Sequence, residues 1–475
     1  MRVLPILRSP RSWLILIVAA SAVGYASFAL FRHWHFQSSA FDLGIFDQAL
    51  WHYSRFERPV NTISGYPHVL AEHFHPILLL LVPFYWIAPR AETLLVAQAI
   101  LLALSALPVY AFIRRRHPDS IALVLTAAYA CCWGLQKTAA RDFHELAFAP
   151  LFVGLAVWAI DGERWGAFWS AALALLLVKE DLPPFVAFLG LFLLLRRRWL
   201  HGGLAVVVGL GSFALIVGWL MPALNEGGGY RFSDSFAHLG GIQGIILLAL
   251  TSPWRLLTLL VSPAPKLRLI LLWLGPFAFL PLASPYGLLL LPIAATRLLS
   301  ANELHWSADF HYSAPLAPLL AMAAADGLAR LAALIPKQPA RSRMVAALAV
   351  LQLVLCALLP SKLPFWRALS PRWYALSPSD RTGAEALRTI PAGASVTAQD
   401  AIVPHLSGRE RIYPLRESGL ATDYVIASRE VSSWPHAGWD AISVLLDEKS
   451  RAGYTSAFER GGWIVLARPA PAERR

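Results

Sequence analysis

The chain has 475 residues, of which 57% are hydrophobic and 15% charged, and its formal net charge is +12. Soluble domains carry about 25% charged residues, so this composition excludes an ordinary soluble enzyme. The basic residues stand in short clusters beside apolar runs, as at Arg114–Arg116 and Arg196–Arg198. Such clusters are typical of cytoplasmic loop ends and not of nucleic-acid surfaces, so we expect no nucleic-acid partner.

The first predicted element is a membrane span from Trp13 to Phe31, a run without a charged residue. A basic start followed by an apolar stretch also resembles a signal peptide, but this stretch is longer than a signal h-region. We therefore expect an uncleaved helix that crosses a plasma membrane, with its N-terminus in the cytoplasm. Residues 32–76 then form the first external loop, called loop one below.

The following apolar run, Ile77–Ala88, is short and contains Pro83, so we expect it at the membrane interface. Seven prolines interrupt residues 242–300, and the number of crossings there is open. A Gly-rich external loop is expected over 225–241. The remaining predicted spans are 92–113, 120–136, 146–160, 166–179, 182–195, 204–222, 312–330 and 344–360. Together these segments predict an all-α polytopic bundle of about 11 transmembrane helices over residues 1–360.

After residue 360 the charge density becomes that of a soluble protein. The pattern predicts a helix near 380–389 and strands near 394–398, 424–427 and 463–467. Residues 361–475 therefore read as a small soluble α/β domain, which an odd number of crossings places outside the membrane.

Loop one contains two carboxylates, Asp42 and Asp47, five residues apart. On a helix this spacing separates them by about 140°. Ile45, Phe46 and their neighbours at 49 and 50 would supply an apolar face, which predicts a helix on the membrane surface. Two interpretations remain open: a surface helix with solvated carboxylates, or a catalytic loop.

Later in loop one, Glu72, His73 and His75 lie within four residues. Imidazole and carboxylate groups suit divalent cations, so a metal site is one interpretation. A His-x-His pair at an aromatic-rich interface is the other. No other cofactor is indicated.

Three further polar clusters stand at predicted outer helix ends: Arg141–Glu145, Lys179–Asp181 and residues 305–312. Ionisable groups at membrane depth are costly and usually face a cavity or pathway, although a tight solvated turn is the alternative at 179–181. Their mixture of acid, histidine and cation predicts one external site for an anionic group. The candidate binding residues are His73, His75, Arg141, Asp142, His144, Glu145, Lys179, Glu180, Asp181 and His311.

These motifs resemble the predicted membrane-protein family known as domain of unknown function 2079 (DUF2079). The segments that carry the resemblance are Phe41–Gln48, Asn61–Gly65, Glu72–Pro76, Arg141–Glu145, Lys179–Asp181, His311–Tyr312 and Pro404–Ser407. The wider layout is similar to the C-type (GT-C) glycosyltransferases, which use polyprenyl-phosphate-linked sugars. That resemblance implies Asp42 as catalytic base, with Asp47 second, and Arg141 or Lys179 as contacts for the lipid phosphate. Loop one lacks an Asp-x-Asp pair, which leaves metal dependence open.

The leading hypothesis is a glycosyltransferase that moves a sugar from a polyprenyl-phosphate carrier to an acceptor at the outer membrane face. The alternative is a transporter or flippase for a lipid-linked or anionic substrate. Transporters often carry paired interrupted helices, but the proline-broken region has no clear counterpart in the first half. A third interpretation is an envelope scaffold whose external domain binds a partner.

Overall fold

The computed structural model describes residues 9–226, 228, 230, 233–359, 364–416 and 420–469. Parts of the predicted loop 225–241 and the predicted domain boundary at 360–361 lie outside these residues. Most of the described chain is α-helical, and a small sheet stands near the C-terminal end.

The helices follow one another with short connections. In the first half of the chain they are α1 (Pro10–Trp34), α2 (Ile45–Tyr53), α3 (Val69–Glu72), α4 (Val82–Ile87), α5 (Ala91–Leu104), α6 (Ala106–Ile113), α7 (Asp119–Ala130), α8 (Trp133–Ala139), α9 (Ala149–Asp161), α10 (Trp165–Val178) and α11 (Pro183–Leu195). In the second half they are α12 (Trp199–Leu215), α13 (Met221–Leu224), α14 (Gly241–Thr251), α15 (Pro253–Val261), α16 (Ala264–Leu274), α17 (Leu291–Leu298), α18 (Leu316–Ala333), α19 (Gln338–Leu358), α20 (Pro364–Ala368), α21 (Pro378–Arg388) and α22 (Trp439–Arg451).

Six helical segments among the described residues have the length and hydropathy of a membrane span. They are Pro10–Trp34, Ala91–Ile113, Trp199–Leu224, Asp234–Thr251, His311–Ala333 and Gln338–Leu358. A further pair, Pro253–Val261 and Ala264–Phe277, is bent by 80° and lies in the proline-broken region. The chain is therefore a multi-pass membrane protein. Because the other apolar helices are short, the count of about 11 crossings stays a prediction.

The spans differ in how much of their surface other helices cover. In His311–Ala333, 78% of the most apolar window is buried, against 11% in α1. The segment His311–Ala333 is thus central in the bundle. Helix α1 presents most of its apolar surface outward, as a helix in contact with lipid does.

Helices α11 and α12 pack with their backbones in close approach. A methyl group at Gly209 would lie 2.5 Å from the backbone nitrogen of Ala187, and one at Gly190 would lie 2.6 Å from the Gly202 carbonyl oxygen. Only glycine fits these two positions. Small residues at such crossings let membrane helices pack by van der Waals contact.

The C-terminal part contains a five-stranded sheet, with strand order β2-β1-β3-β5-β4. Its strands are β1 (Val396–Ala398), β2 (Ile412–Pro414), β3 (Tyr424–Ser428), β4 (Thr455–Arg460) and β5 (Trp463–Ala467). β1 pairs in parallel with β2 and β3, whereas β5 is antiparallel to β3 and β4. The sequence predicted β1, β3, β5 and α21. It missed β2, which has three residues, and β4, whose side chains are mostly exposed and lack an apolar alternation.

Loop one and the C-terminal sheet share a hydrophobic core. Ala40, Ile45 and Ala49 of loop one pack in one buried cluster with Val403 and Ile412. The helix predicted on the membrane surface does form, as α2, but it lies beneath the C-terminal part of the chain. Its apolar face is therefore covered by protein.

Candidate functional site

Asp42 lies in a tight turn over Ala40–Gly44, immediately before α2. Its backbone has φ 94° and ψ −93°, a conformation that side-chain-bearing residues rarely adopt. Its carboxylate is half-buried and makes no hydrogen bond with any of the described residues. Burial raises the pKa of Asp42 well above its usual range, and the carboxylates of Asp142 and Glu145 add to that effect. Strain of this kind concentrates at functional sites.

Asp47 has a different environment, although it follows in the same loop. It is 1% exposed and accepts hydrogen bonds from the Tyr85 hydroxyl at 2.9 Å and the Ser407 hydroxyl at 2.7 Å. Burial raises the pKa of Asp47 to about 7, although both hydrogen bonds oppose this. The interpretation of two solvated carboxylates is therefore wrong for Asp47. The two aspartates also do not share one helix, because the chain turns at Asp42 before α2 begins.

The segment 141–145 is fixed to loop one through Asp142. This carboxylate accepts from the Arg32 guanidinium at 2.6 Å and from the Ser39 backbone N–H at 2.9 Å. Gln98, buried in α5, donates to the Thr138 carbonyl at 3.1 Å. The Gln98 side-chain oxygen also accepts from the backbone N–H of His144 at 3.1 Å. Asp142 and Gln98 thus hold this segment against α1 and α5.

A buried ion pair joins this segment to the end of α10. Lys179 Nζ lies 2.8 Å from Glu145 Oε1. Burial lowers the pKa of Lys179, but Glu145 and the neighbouring acids more than offset this and raise it. Burial likewise opposes ionisation of Glu145, whose pKa His144 and Lys179 nevertheless lower well below its usual range. Both partners are therefore charged at neutral pH.

Glu180 links the same cluster to the end of loop one. Its carboxylate lies 2.7 Å from His73 Nδ1 and accepts from the Phe74 backbone N–H at 3.0 Å. The Tyr230 hydroxyl donates to it at 3.3 Å. The next residue, Asp181, has an exposed side chain although Lys179, Glu180 and Glu145 surround it.

Three histidines lie close to the Glu145–Lys179 pair. The rings of His144 and His311 stack with centroids 3.6 Å apart. Both ring nitrogens of His311 and Nδ1 of His75 are buried without a hydrogen-bond partner among the described residues. Glu145 Oε2 likewise accepts no hydrogen bond there, although His144 Nδ1 lies 2.8 Å away. This interior therefore contains several polar atoms that a ligand or water would satisfy.

Arg141 lines a cavity of about 590 Å³. Its guanidinium donates to the Asp309 carbonyl at 2.8 Å and lies over the Phe310 ring. Lys137, on the same wall, pairs with the Asp309 carboxylate at 2.8 Å. The full lining is Phe28, Arg32, Gln37, Lys137, Ala140, Arg141, Asp309, Pro364, Trp366, Arg367 and Trp373. Four of these side chains are cationic, so the cavity favours an anionic ligand.

The structure brings all the candidate residues to one end of the bundle, opposite Arg114–Arg116. There all of them except Asp47 form one polar cluster, and their roles stay predictions. The clustered residues are Asp42, His73, His75, Arg141, Asp142, His144, Glu145, Lys179, Glu180, Asp181 and His311. Within the described residues, no three His, Cys, Asp or Glu side chains are arranged to hold a metal ion. The geometry among these residues therefore does not support a metal site at His73. Instead, the His73 ring pairs with the Glu180 carboxylate.

Sequence reasoning missed Gln98 and Lys137. Gln98 interrupts the apolar stretch of its span, and a single amide in such a stretch is a detectable signal. Lys137 lies in the short helix α8, most of which fell within the predicted span 120–136. Nothing in the sequence therefore indicated that Lys137 lies beside Arg141.

Comparison with known proteins decides the family. The profile of the family described as predicted membrane protein (DUF2079) matches residues 32–465. This chain belongs to the DUF2079 family. No curated protein matches this DUF2079 member in sequence.

Solved structures with a similar fold are those of ArnT from Cupriavidus metallidurans. The structure bound to undecaprenyl phosphate has a TM-score of 0.56 and 14% identity, and the match covers 97% of this chain and 99% of that one. The apo structure has a TM-score of 0.56 and 13% identity, with coverage of 96% and 98%. At this identity the comparison shows a shared fold over nearly the full length of both chains, for this DUF2079 member and for ArnT.

Proposed function

We propose that this protein is a glycosyltransferase that moves a sugar from a polyprenyl-phosphate carrier to an acceptor at the outer face of the plasma membrane. The observation that carries the proposal is the position of Asp42. Its carboxylate lacks a hydrogen bond within the described chain, belongs to a residue with a strained backbone and is part of the polar cluster. The fold supports the donor class, because ArnT was crystallised with undecaprenyl phosphate.

The reaction requires a base and a stabilised leaving group. Asp42 takes the proton from the acceptor hydroxyl, the acceptor oxygen bonds to the anomeric carbon, and the bond from that carbon to the carrier phosphate breaks. The cations of the cavity then stabilise the phosphate that leaves. Arg141 and Lys137 suit this role better than Lys179, because Lys179 is buried against Glu145.

The Asp42→Asn variant tests this proposal. Loss of a general base lowers the rate by about 100-fold or more, so the glycosylated envelope product should disappear. The measurement compares envelope glycolipids and glycans of cells that express either form. Asp47→Asn is the matched control, because it changes the same residue type in the same loop outside the cluster. Unchanged product at normal expression of Asp42→Asn contradicts the proposal.

A transporter or flippase is the second candidate, and the bent pair Pro253–Val261 and Ala264–Phe277 favours it. Against it stands an ion network at the opposite end of the bundle. There Arg116 pairs with Asp326 at 2.8 Å, and Arg115 pairs with Asp161 at 2.7 Å. Alternating access requires such contacts to break. Movement of polyprenyl-phosphate sugars across liposomes that contain no acceptor would favour transport over transfer.

A further inference from the structure

The parallel part of the C-terminal sheet has an edge at which three strands end. Strands β2, β1 and β3 run in the same direction, so their carboxyl ends meet at one side of the sheet. In open α/β sheets, ligands bind in the crevice outside these ends. Here Asp400 follows β1 and Arg416 follows β2.

Loop one reaches this edge through Phe41, the residue that precedes Asp42. The Arg416 guanidinium lies over the Phe41 ring, 4.4 Å from its centroid. The ring of Trp434, from the loop after β3, meets Phe41 edge to face at 6.0 Å. Trp434 is 54% exposed, so most of its surface is available to a ligand. The edge therefore presents an aromatic surface and a cation next to Asp42.

The loop that carries Trp434 is braced from within the sheet. Gln399 is buried, and its amide donates to the Ser432 carbonyl at 2.7 Å. Its side-chain oxygen accepts from the Ser428 backbone N–H at 2.8 Å. Trp434 is therefore held in place before any ligand arrives.

Asp400 supplies an independent observation at the same edge. Its side chain is 7% exposed, and its neighbours in loop one are Ser39 and Ala40. Its Oδ1 atom has no hydrogen-bond partner in the described part of the chain. A buried carboxylate oxygen without a partner is costly, and a donor hydroxyl would remove that cost.

We propose that Phe41, Asp400, Arg416 and Trp434 form the acceptor subsite, and that the acceptor is a saccharide bearing an anionic group. The Trp434 ring packs against the apolar face of the sugar, as aromatic side chains do when they combine apolar contact with a polar rim. Arg416 holds the carboxylate or phosphate, and Asp400 accepts a sugar hydroxyl. The role of this subsite as an acceptor site rests on the proposed function. Saccharide binding at this edge does not, because it requires no polyprenyl-phosphate donor.

The test measures saccharide binding to the full chain in lipid nanodiscs by saturation-transfer NMR and calorimetry. The probes are glucuronate, glucose 6-phosphate and glucose, which distinguish a carboxylate from a phosphate and from a neutral sugar. Trp434→Ala should weaken all three by about tenfold, the effect of losing one aromatic contact. Arg416→Gln should weaken the two anionic probes by about tenfold and leave glucose unchanged, so the preference for anions disappears.

The matched controls are Trp439→Ala and Arg429→Gln. Arg429 directly follows β3 and Trp439 begins α22, and the two form a second Arg–Trp pair outside the four proposed residues, with the guanidinium 5.4 Å from the ring. They should leave all three affinities unchanged. The proposal is overturned if the wild-type chain binds no probe, if the controls lose binding equally, or if Arg416→Gln keeps the preference for anions. Saccharide binding that survives in Asp42→Asn, together with absence of transfer in the wild type, would refute the proposed function and leave the subsite intact.

Discussion

At the scale of single residues, two aspartates five positions apart have opposite environments. Asp42 has a strained backbone and a carboxylate without a hydrogen bond among the described residues, whereas Asp47 is buried and bonded to Tyr85 and Ser407. The difference comes from the turn between them, which sends one side chain to the polar cluster and the other under the C-terminal sheet. The proposed catalytic role and the structural role thereby fall on two different aspartates of the same loop.

The pH dependence of the proposed sugar transfer should follow the protonation state of Asp42. A base must be unprotonated, and the pKa of Asp42 is raised, so activity should rise with pH through a midpoint well above 3.8, the ordinary value. Asp142→Asn removes a neighbouring negative charge that raises this pKa, so its midpoint should move to lower pH. Rate measurements across the acidic range on both forms check this. An identical midpoint in both would contradict it.

Asp47 should affect stability rather than chemistry. Its folded-state pKa is about 7, against an ordinary 3.8, so the folded chain holds a proton that the unfolded chain has lost. Between these two values the stability contributed by Asp47 therefore falls as pH rises. The Asp47→Asn variant should lack this decrease of stability with pH. Thermal unfolding of the purified protein, measured at several pH values between 3.8 and about 7, tests this. The exposed Asp440→Asn is the control and should keep the wild-type slope.

At the scale of elements, connections between helices build the cluster. The segment 141–145 follows α8, residues 179–181 lie between α10 and α11, and the end of loop one supplies His73. These connections are short, so the helices that they join fix their side chains. Preorganised charge of this kind is what a reaction with a departing phosphate needs.

The Glu145–Lys179 pair should be a strong determinant of folding. Removal of one partner leaves a buried charge alone, which costs about 3–5 kcal/mol. Lys179→Met and Glu145→Gln should each lower the unfolding midpoint in detergent, and the double variant should recover part of the loss. The exposed pair Arg198–Glu163 offers the comparison, because surface pairs contribute about 0–1 kcal/mol. If either single variant were as stable as the wild type, the buried Glu145–Lys179 ion pair would not contribute to stability as expected.

At the scale of the whole molecule, charged groups are sorted between the two ends of the bundle. Arg115 and Arg116 pair with Asp161 and Asp326 at one end, and the polar cluster lies at the other. The excess of basic residues predicts that the first end faces the cytoplasm. The C-terminal sheet shares the end of the cluster, because it packs on loop one.

Cysteine labelling should establish this orientation. The native cysteines are buried or half-buried, so introduced ones dominate the reaction with a membrane-impermeant thiol reagent. Ser450→Cys, exposed on α22, should react in intact cells. Lys337→Cys, exposed between α18 and α19, should react only after permeabilisation. The opposite pattern would reverse the topology and remove the basis for an external site.

Much of the architecture was predictable because long apolar runs and arginine clusters are direct signatures of spans and loop ends. The predicted span 166–179 corresponds to α10, and the predicted span 182–195 to α11. The clustering of acids, histidines and cations was also predictable, since each motif fell at a helix end that the topology predicts to be outer. The separation of Asp42 from Asp47 was not, because a single backbone turn decides it. Nor was the role of Ser407, whose bond to Asp47 joins distant parts of the chain.

The core shared by loop one and the C-terminal sheet has a consequence for biosynthesis. Ile45 and Ala49 are made early in translation, but Val403 and Ile412, which cover them, are made near its end. A ribosome therefore inserts almost the whole helical bundle while the loop carrying Asp42 is still unfinished. Chains released early would sit in the bilayer without an ordered loop. Loop one reaches its folded form only when the last part of the chain has emerged.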